Sequence, residues 1–121
     1  ANFSFKNSSL TAVCFLKVKS VSDYSFYGCK ELNLVFLPVC EELGERCFGS
    51  CENVKILDLP KVKKIGQWQF WGCSSLTDLI IPLVEEIGGS CFRYCDSLES
   101  VDSKLDANMF RCTIVWCKED K

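Results

Sequence analysis

A repeat of 22 residues constrains the fold of this chain more than any other feature of its sequence. Phenylalanine, cysteine, proline and glycine each recur at this constant step. The positions are Phe26, Phe48, Phe70 and Phe92; Cys29, Cys51, Cys73 and Cys95; Pro38, Pro60 and Pro82; and Gly44, Gly66 and Gly88. A fixed period of roughly 20–50 residues is typical of solenoids, whose units bury their apolar faces against one another. The sequence therefore predicts a linear stack of similar coils rather than a globule around one core.

Each repeat contains a short predicted strand. Val35 and Leu37 alternate with Phe36 in a pattern of period two, which predicts inward, outward and inward side chains. Pro38 and its equivalents should end each strand, because proline cannot donate to a β ladder. Gly44 and its equivalents are expected to turn the chain at positive φ. The segment after this glycine spaces its apolar residues by three or four, which predicts one or two turns of 3₁₀ helix.

The inward positions form the predicted core. They are Leu32, Val35, Leu37, Cys40, Leu43, Phe48 and Cys51 in one repeat; Val54, Leu57, Leu59, Val62, Ile65, Phe70 and Cys73 in the next; and Leu76, Leu79, Ile81, Val84, Ile87, Phe92 and Cys95 in the third. Burying one such side chain contributes about 1.5–3 kcal/mol, and ordering costs of similar size oppose it. No single repeat is therefore expected to fold alone.

The period also divides the chain, which we interpret as one repeat domain spanning residues 1–121. The predicted units are a partial first repeat (1–9), repeats 10–31, 32–53, 54–75 and 76–97, and a degenerate capping repeat (98–121). Ser4–Ser9 is expected to correspond to Phe26–Glu31 one coil later, and Thr113–Cys117 to close the stack as a strand. Because the chain begins within a repeat and without methionine, we expect a segment of a longer array.

Ten cysteines would ordinarily suggest a disulfide scaffold, but their placement favours free thiols. Four of them share one repeat position among apolar neighbours, where a thiol behaves as a small buried hydrophobe. A Cys29–Cys51 or Cys73–Cys95 bridge lies within reach, although stacked strands rarely aim the sulfurs well. The pairs Cys47/Cys51 and Cys91/Cys95 lie two coils apart, about 10 Å. That span is too long for one zinc ion with bonds of about 2.3 Å, so no metal site is predicted.

The sequence lacks the residues on which most enzyme chemistry depends. It contains no histidine, no phosphate-binding glycine motif and no C-x-x-C pair, so we predict no catalytic residue and no cofactor. Its acidic and basic residues are interspersed, with a net charge of −2, which argues against a nucleic-acid partner. No apolar run approaches the roughly 18 residues of a membrane span, so no membrane insertion is predicted.

The pattern L-x-x-V-x-L-P-x-V-x-x-I-G-x-x-x-F-x-x-C-x-x-L resembles the BspA-like leucine-rich repeat from Leu10 to Leu98, most clearly in Val54–Pro60 and Ile87–Leu98. The resemblance implies an α/β fold: a right-handed leucine-rich-repeat solenoid with a concave parallel β-sheet and short strand or 3₁₀ turns on the convex side. It also implies a family of bacterial and protist surface proteins that adhere to host or matrix proteins.

The outward positions of the strands carry the candidate ligand-binding site. Leu34, Phe36, Ile56 and Ile80 are large and apolar, although their alternation points them away from the core. Contiguous exposed apolar side chains usually mark an interaction site, and three carboxylates border them. These carboxylates are Asp58, Asp78 and Asp102. The alternative is that strand propensity alone explains the apolar residues, or that flanking domains cover them.

Two further columns lie on other faces of the stack. After the strands, charge alternates from coil to coil in Lys19-Ser20, Glu41-Glu42, Lys63-Lys64 and Glu85-Glu86. We interpret this column as a device that favours the correct stacking register, with an ionic binding strip as the alternative. On the convex loops we interpret four aromatic residues as wall packing, with a second contact surface as the alternative. These residues are Tyr24, Tyr27, Trp68 and Trp71.

We therefore predict a non-enzymatic protein-binding or adhesion module whose ligand is a protein, such as a host-surface or matrix protein. The alternatives are a structural or self-associating repeat segment, with a homodimer formed through the concave face or a solenoid end, and an intracellular regulatory scaffold. Two glycosylation acceptor patterns, at Asn2–Ser4 and Asn7–Ser9, favour a secreted or cell-surface protein. The many free thiols favour a reducing, cytoplasmic compartment instead.

Overall fold

The computed structural model describes residues 4–103, which form a parallel β-solenoid of nine short strands. In most coils, hereafter rungs, a strand of three or four residues precedes a two-residue strand and a series of β-turns. The strands are β1 (Ala12–Cys14), β2 (Ser20–Val21), β3 (Leu34–Phe36), β4 (Glu42–Leu43), β5 (Ile56–Asp58), β6 (Lys64–Ile65), β7 (Asp78–Ile81), β8 (Glu86–Ile87) and β9 (Ser100–Ser103). The predicted closing strand at Thr113–Cys117 lies outside the described residues.

The strands pair in parallel at a register of 22 residues, as the sequence period predicts. The short strands form one continuous sheet in the order β2-β4-β6-β8. The longer strands form two sheets, β1-β3 and β5-β7-β9, so the face expected to be a single sheet is interrupted between β3 and β5. The prolines act as predicted: β3 ends two residues before Pro38, and β7 ends at the residue before Pro82.

The predicted core is buried at every position except Ile87, which is partly buried and packs against the core. Among its largest members are the repeated phenylalanines, which are at most 1% exposed and stack as rings along the solenoid. Ring centroids lie 5.4 Å apart in Phe26–Phe48 and 5.8 Å apart in Phe70–Phe92. Because each ring packs against a ring of an adjacent rung, the core stabilises rungs only in pairs or larger stacks.

The first rung follows a step of 21 residues rather than 22. Phe5 stacks on Phe26, with ring centroids 5.7 Å apart and planes 3° apart. Ser8 Oγ lies 3.6 Å from Cys29 Sγ, in the cysteine position. The predicted correspondence of Ser4–Ser9 to residues 26–31 is therefore wrong by one residue. Ring stacking fixes the register here, and the sequence accommodates it with one residue fewer before the next strand.

The repeated glycines serve close approach of the backbone, and the prediction of positive φ at these positions is wrong. Left-handed glycines occur instead at Gly28 and Gly72, with φ of 73° and 77°. A Cβ built on Gly66 would lie 2.6 Å from the carbonyl oxygen of Gly44 in the preceding rung. A Cβ on Gly88 would lie 2.5 Å from the amide nitrogen of Gln67. Any side chain at this position would push the rungs apart.

The predicted 3₁₀ turns and α/β class are not found in residues 4–103, which contain strands and turns but no helix. Consecutive β-turns replace the helix, as where Gly49 N donates to Arg46 O and Cys51 N donates to Phe48 O, both at 3.3 Å. Each such segment holds two left-handed residues, Arg46 (φ 54°) and Ser50 (φ 55°) in this rung. Left-handed residues interrupt a right-handed helix. None of these residues forms a helix long and apolar enough to cross a membrane.

At one junction between rungs, the side chain of Gln69 accepts a hydrogen bond that a backbone carbonyl accepts at equivalent junctions. Elsewhere the phenylalanine amide donates to a backbone carbonyl of the next rung, as from Phe26 N to Cys47 O at 2.9 Å. Phe48 N instead donates to the side-chain Oε1 of Gln69 at 3.2 Å, and Gln69 Nε2 donates to Gly44 O. Gln69 is fully buried. This side-chain hydrogen bond joins the same two rungs whose longer strands, β3 and β5, do not pair.

We expect Phe70→Ala to cost about 3–5 kcal/mol of unfolding free energy, because it leaves a cavity in a fully buried stack. Trp71→Ala should cost far less, because Trp71 is half-buried and packs edge-on against Tyr94 at the surface. Chemical denaturation of both variants measures the difference. Equal losses would contradict the assignment of inward and outward positions.

We also expect Gln69→Ala to destabilise the stack by about 1–3 kcal/mol, because Phe48 N loses its acceptor in a buried site. Gly44 O is less affected, since it also accepts from Cys47 Sγ. Gln67→Ala, two residues away and exposed, is the control and should change the denaturation midpoint little. Indistinguishable midpoints would mean that Gln69 does not join the rungs.

Candidate functional site

Three large apolar side chains are exposed together on the longer strands, and we call them the apolar patch. Leu34 is 60% exposed, Phe36 50% and Ile56 57%. Their exposure follows from strand geometry, because successive side chains point to opposite faces and Val35 and Leu57 between them are buried. Leu34 and Phe36 lie on β3, and Ile56 on the adjacent β5. The patch therefore spans the interruption between the two sheets.

The other predicted site residues lie on the sheet β5-β7-β9. Asp58 and Asp102 are exposed and flank Ile80 through the strand register. Ile80 and Asp78 are half-buried, so they contribute less exposed surface than predicted. Asp78 Oδ2 also accepts a hydrogen bond from Thr77 Oγ1 at 3.0 Å. The accessible part of the predicted site is therefore the apolar patch, with Asp58 on the same strand as Ile56 and Asp102 two strands further along.

The cysteines at the repeat position are buried, unbridged and hydrogen-bonded across rungs. Each donates its S–H to the carbonyl of the phenylalanine one rung earlier, at 3.2 Å for Cys51 to Phe26, 3.0 Å for Cys73 to Phe48 and 2.9 Å for Cys95 to Phe70. A disulfide would remove these donors. Of the described cysteines, Cys14 is the one that is exposed.

Burial suppresses the reactivity of five of the buried thiols. It raises the pKa of Cys47 and Cys73 to about 12 and that of Cys91 to about 11, above the ordinary value of 9.0. Burial also raises the pKa of Cys40 and Cys51. Because the thiolate is the nucleophile and the metal ligand, these groups are poorly suited to either role. Within residues 4–103, no three cysteine or carboxylate groups are placed to hold a metal ion.

An open groove of about 1380 Å³ runs along the four-stranded sheet, and sequence reasoning missed it. Its floor follows the repeated glycines, and charged side chains at positions on either side of them form its walls. One wall is the predicted charge column, in which Glu42 pairs with Lys64 and Lys64 with Glu86 through the strand register. The ion pair Lys64 Nζ–Glu86 Oε2 measures 3.8 Å. The recurrence of glycine between charged positions was the signal that could have revealed the groove.

The predicted aromatic group on the β-turn loops packs with cations of neighbouring rungs. The Arg46 guanidinium carbon lies 4.5 Å from the Trp68 ring centroid and 5.7 Å from that of Tyr24. Tyr24 contacts Tyr27 at 5.5 Å between centroids, and all four aromatic residues of the group are half-buried. Such cation–π contacts contribute about 0.5–2 kcal/mol each. These contacts agree with wall packing as the role of the group.

The raised thiol pKa values predict a loss of stability at alkaline pH. Below pH 9 these thiols are protonated in both the folded and the unfolded state, so their full contribution to the free energy of unfolding is present there. Above it the unfolded chain loses thiol protons that the folded chain keeps until about pH 11–12. Unfolding therefore becomes easier, by up to ~1.4 kcal/mol per pH unit for each thiol. Denaturation midpoints between pH 7 and 11 test this, and Cys73→Ala should show a shallower decline. A flat profile would contradict protonated, buried thiols.

Comparison with known proteins agrees with this geometry. The family described as "BspA type Leucine rich repeat region (6 copies)" matches residues 1–112. The solved structure of a leucine-rich cell surface protein from Faecalibacterium prausnitzii A2-165 superposes with a TM-score of 0.67 at 19% identity. The match covers 89% of this chain and 36% of that protein, so this chain spans about a third of its length. No curated protein matches the sequence.

Proposed function

The chain belongs to the BspA-type leucine-rich repeat family, and on that premise we propose that it is a non-enzymatic module that binds a protein ligand through its apolar patch. The observation that carries this proposal is the exposure of Leu34, Phe36 and Ile56 side by side on adjacent strands. The side chains on the opposite face of these strands already fill the core. The outward residues are therefore free to vary without loss of the fold, and large apolar residues there favour contact with a partner.

The chemistry around the patch indicates what the partner presents. Asp58 is exposed on β5, the strand of Ile56, and Asp102 is exposed on β9, two strands further along the sheet, while Asp78 is half-buried and already holds a hydrogen bond. Rim charges of this kind orient an encounter and suppress wrong partners more than they add affinity. The complementary surface is an apolar or aromatic anchor with lysine or arginine to one side. Phe36, the aromatic member, is the natural hot spot.

Three observations support a binding role over catalysis. The chain contains no histidine. Its buried thiols have raised pKa values, which disfavours the reactive thiolate. The exposed carboxylates Asp58 and Asp102 lie on an open strand face, whereas acid–base chemistry on a substrate needs groups that converge in a pocket.

We further propose that the module acts at a cell surface, as an adhesion element of a longer repeat protein. Two observations support this location: the family assignment and the structural similarity to the Faecalibacterium protein, which is a cell surface protein. That protein is nearly three times longer than the matched region, so the matched rungs belong to a longer chain there. In such an array, a patch on two rungs would be one local contact within a longer surface.

The double variant Phe36→Ser/Ile56→Ser tests the binding surface. A partner captured by the parent chain from host-surface or matrix extracts is identified, and its affinity for parent and variant is then measured. Loss of a hot-spot aromatic weakens binding by ~2 kcal/mol or more, roughly thirtyfold. Stability should change little, because both side chains are at least half exposed.

The matched control is Leu16→Ser/Tyr94→Ser, which removes two exposed apolar side chains outside the patch, 60% and 38% exposed. It should bind as the parent does. Unchanged affinity in the patch variant would reject the proposed surface. Sedimentation of the parent separates the rival function: a stable dimer that the patch variant abolishes would mean that the patch serves self-association.

A further inference from the structure

The groove beside the four-stranded sheet lies apart from the apolar patch. The structure assigns it a partner class: we propose that it binds a basic, extended segment of a partner protein. The groove crosses four rungs and takes three equivalent positions from each, so it is built by the repeat itself. It is lined by the short strands, whereas the apolar patch lies on the longer strands of other sheets.

The floor of the groove is bare backbone for a steric reason. At Gly44, Gly66 and Gly88, an added Cβ would lie within 2.6 Å of an atom of the preceding rung. No residue with a side chain fits there at this rung separation. The side chains two residues before and one residue after the glycines therefore rise as two walls with a trough between them.

The walls are acidic. Asp23, Glu42, Glu45 and Glu86 face the groove with one cation, Lys64, so the lining carries a net charge of −3. The whole chain, with 16 acidic and 14 basic residues, carries only −2. Lys64 is held 3.8 Å from Glu86, and one oxygen of Asp23 accepts from the Glu45 amide at 2.7 Å. The carboxylates of Glu42 and Glu45 stay exposed or half-exposed for a partner.

Rung spacing makes this negative charge concentrated. Neighbouring rungs lie about 4.8 Å apart, inside the screening length of about 8 Å at physiological ionic strength. Asp23 and Glu45 occupy equivalent positions in adjacent rungs, so their repulsion is only partly screened. A cationic partner would relieve this repulsion, which gives the groove a preference for lysine and arginine.

Size and shape favour a peptide over a small molecule. Sites for small ligands are usually enclosed clefts of about 300–1,000 Å³, whereas this groove is larger and open along its length. Four rungs cover about 14 Å, which an extended chain spans in four or five residues at about 3.3 Å each. The groove therefore fits a short extended segment with alternate side chains directed to the two walls.

The test uses the whole chain and fluorescent peptides of six residues. Hexalysine, which presents lysine to both walls, should bind in fluorescence anisotropy, weaken as salt rises, and bind more tightly than hexaglutamate. Glu42→Gln/Glu45→Gln removes two wall charges, keeps both side-chain shapes and leaves the floor intact. We expect about tenfold weaker binding, from the loss of two charge contacts, with an unchanged melting temperature showing that the stack persists.

The charge-matched control is Glu52→Gln/Glu99→Gln, two exposed carboxylates outside the groove lining. It should bind the peptide as the parent does, and so should Phe36→Ser/Ile56→Ser. Equal weakening in the charge-matched control would overturn the proposal in favour of nonspecific attraction. Spermine that binds as tightly as the peptide would overturn the peptide assignment. If Phe36→Ser/Ile56→Ser still binds the protein captured by the parent chain, the proposed role of the apolar patch fails. The peptide measurements on the groove are decided separately.

Discussion

The separation of about 4.8 Å between successive rungs is the constraint on which the rest of this structure depends. Backbone hydrogen bonds fix that distance in the four-stranded sheet, and every rung must then fit above its neighbour. Gly44, Gly66 and Gly88 are required because a Cβ would collide across this gap. The thiols satisfy carbonyls of the preceding rung across the same gap, and the phenylalanine rings stack through it. One repeated distance thus selects three residue types at three positions of the repeat.

The irregular places show that packing overrides the period where the two conflict. The first rung is one residue short, and Phe5 stacks on Phe26 nonetheless. Gln69 occupies a position where adjacent rungs carry Cys47 and Cys91, and its longer side chain accepts the hydrogen bond that backbone accepts elsewhere. The longer strands separate into two sheets at this same junction, while the shorter strands pair through it. Several sets of contacts therefore hold the solenoid together: where the longer strands do not pair, the shorter strands still do.

The fold divides positions between architecture and recognition. Inward positions have one acceptable chemistry, because they meet equivalent residues above and below in a buried stack. Outward positions on the longer strands have no such restraint, which is why Leu34, Asp58 and Ser100 can all occupy that face. Family membership consequently identifies the scaffold and its geometry. The outward residues of this particular chain determine which ligand it binds. The apolar patch and the walls of the groove are made of such residues, whereas the floor of the groove belongs to the architecture.

The sequence by itself determined the solenoid, the 22-residue strand register, the inward positions and the strand ends, because each follows from a local pattern repeated in register. It also determined the exposure of Leu34, Phe36 and Ile56, since alternation along a strand is local, whereas Ile80 at an equivalent outward position is half-buried. Only the tertiary structure decided that β-turns with residues of positive φ take the place of helix, and that the repeated glycines are sterically required. It alone also decided the role of Gln69, the break between β3 and β5, and the acidic groove. These features arise from contacts between residues about 22 apart. Their distances and conformations depend on how two rungs pack, which no single repeat encodes.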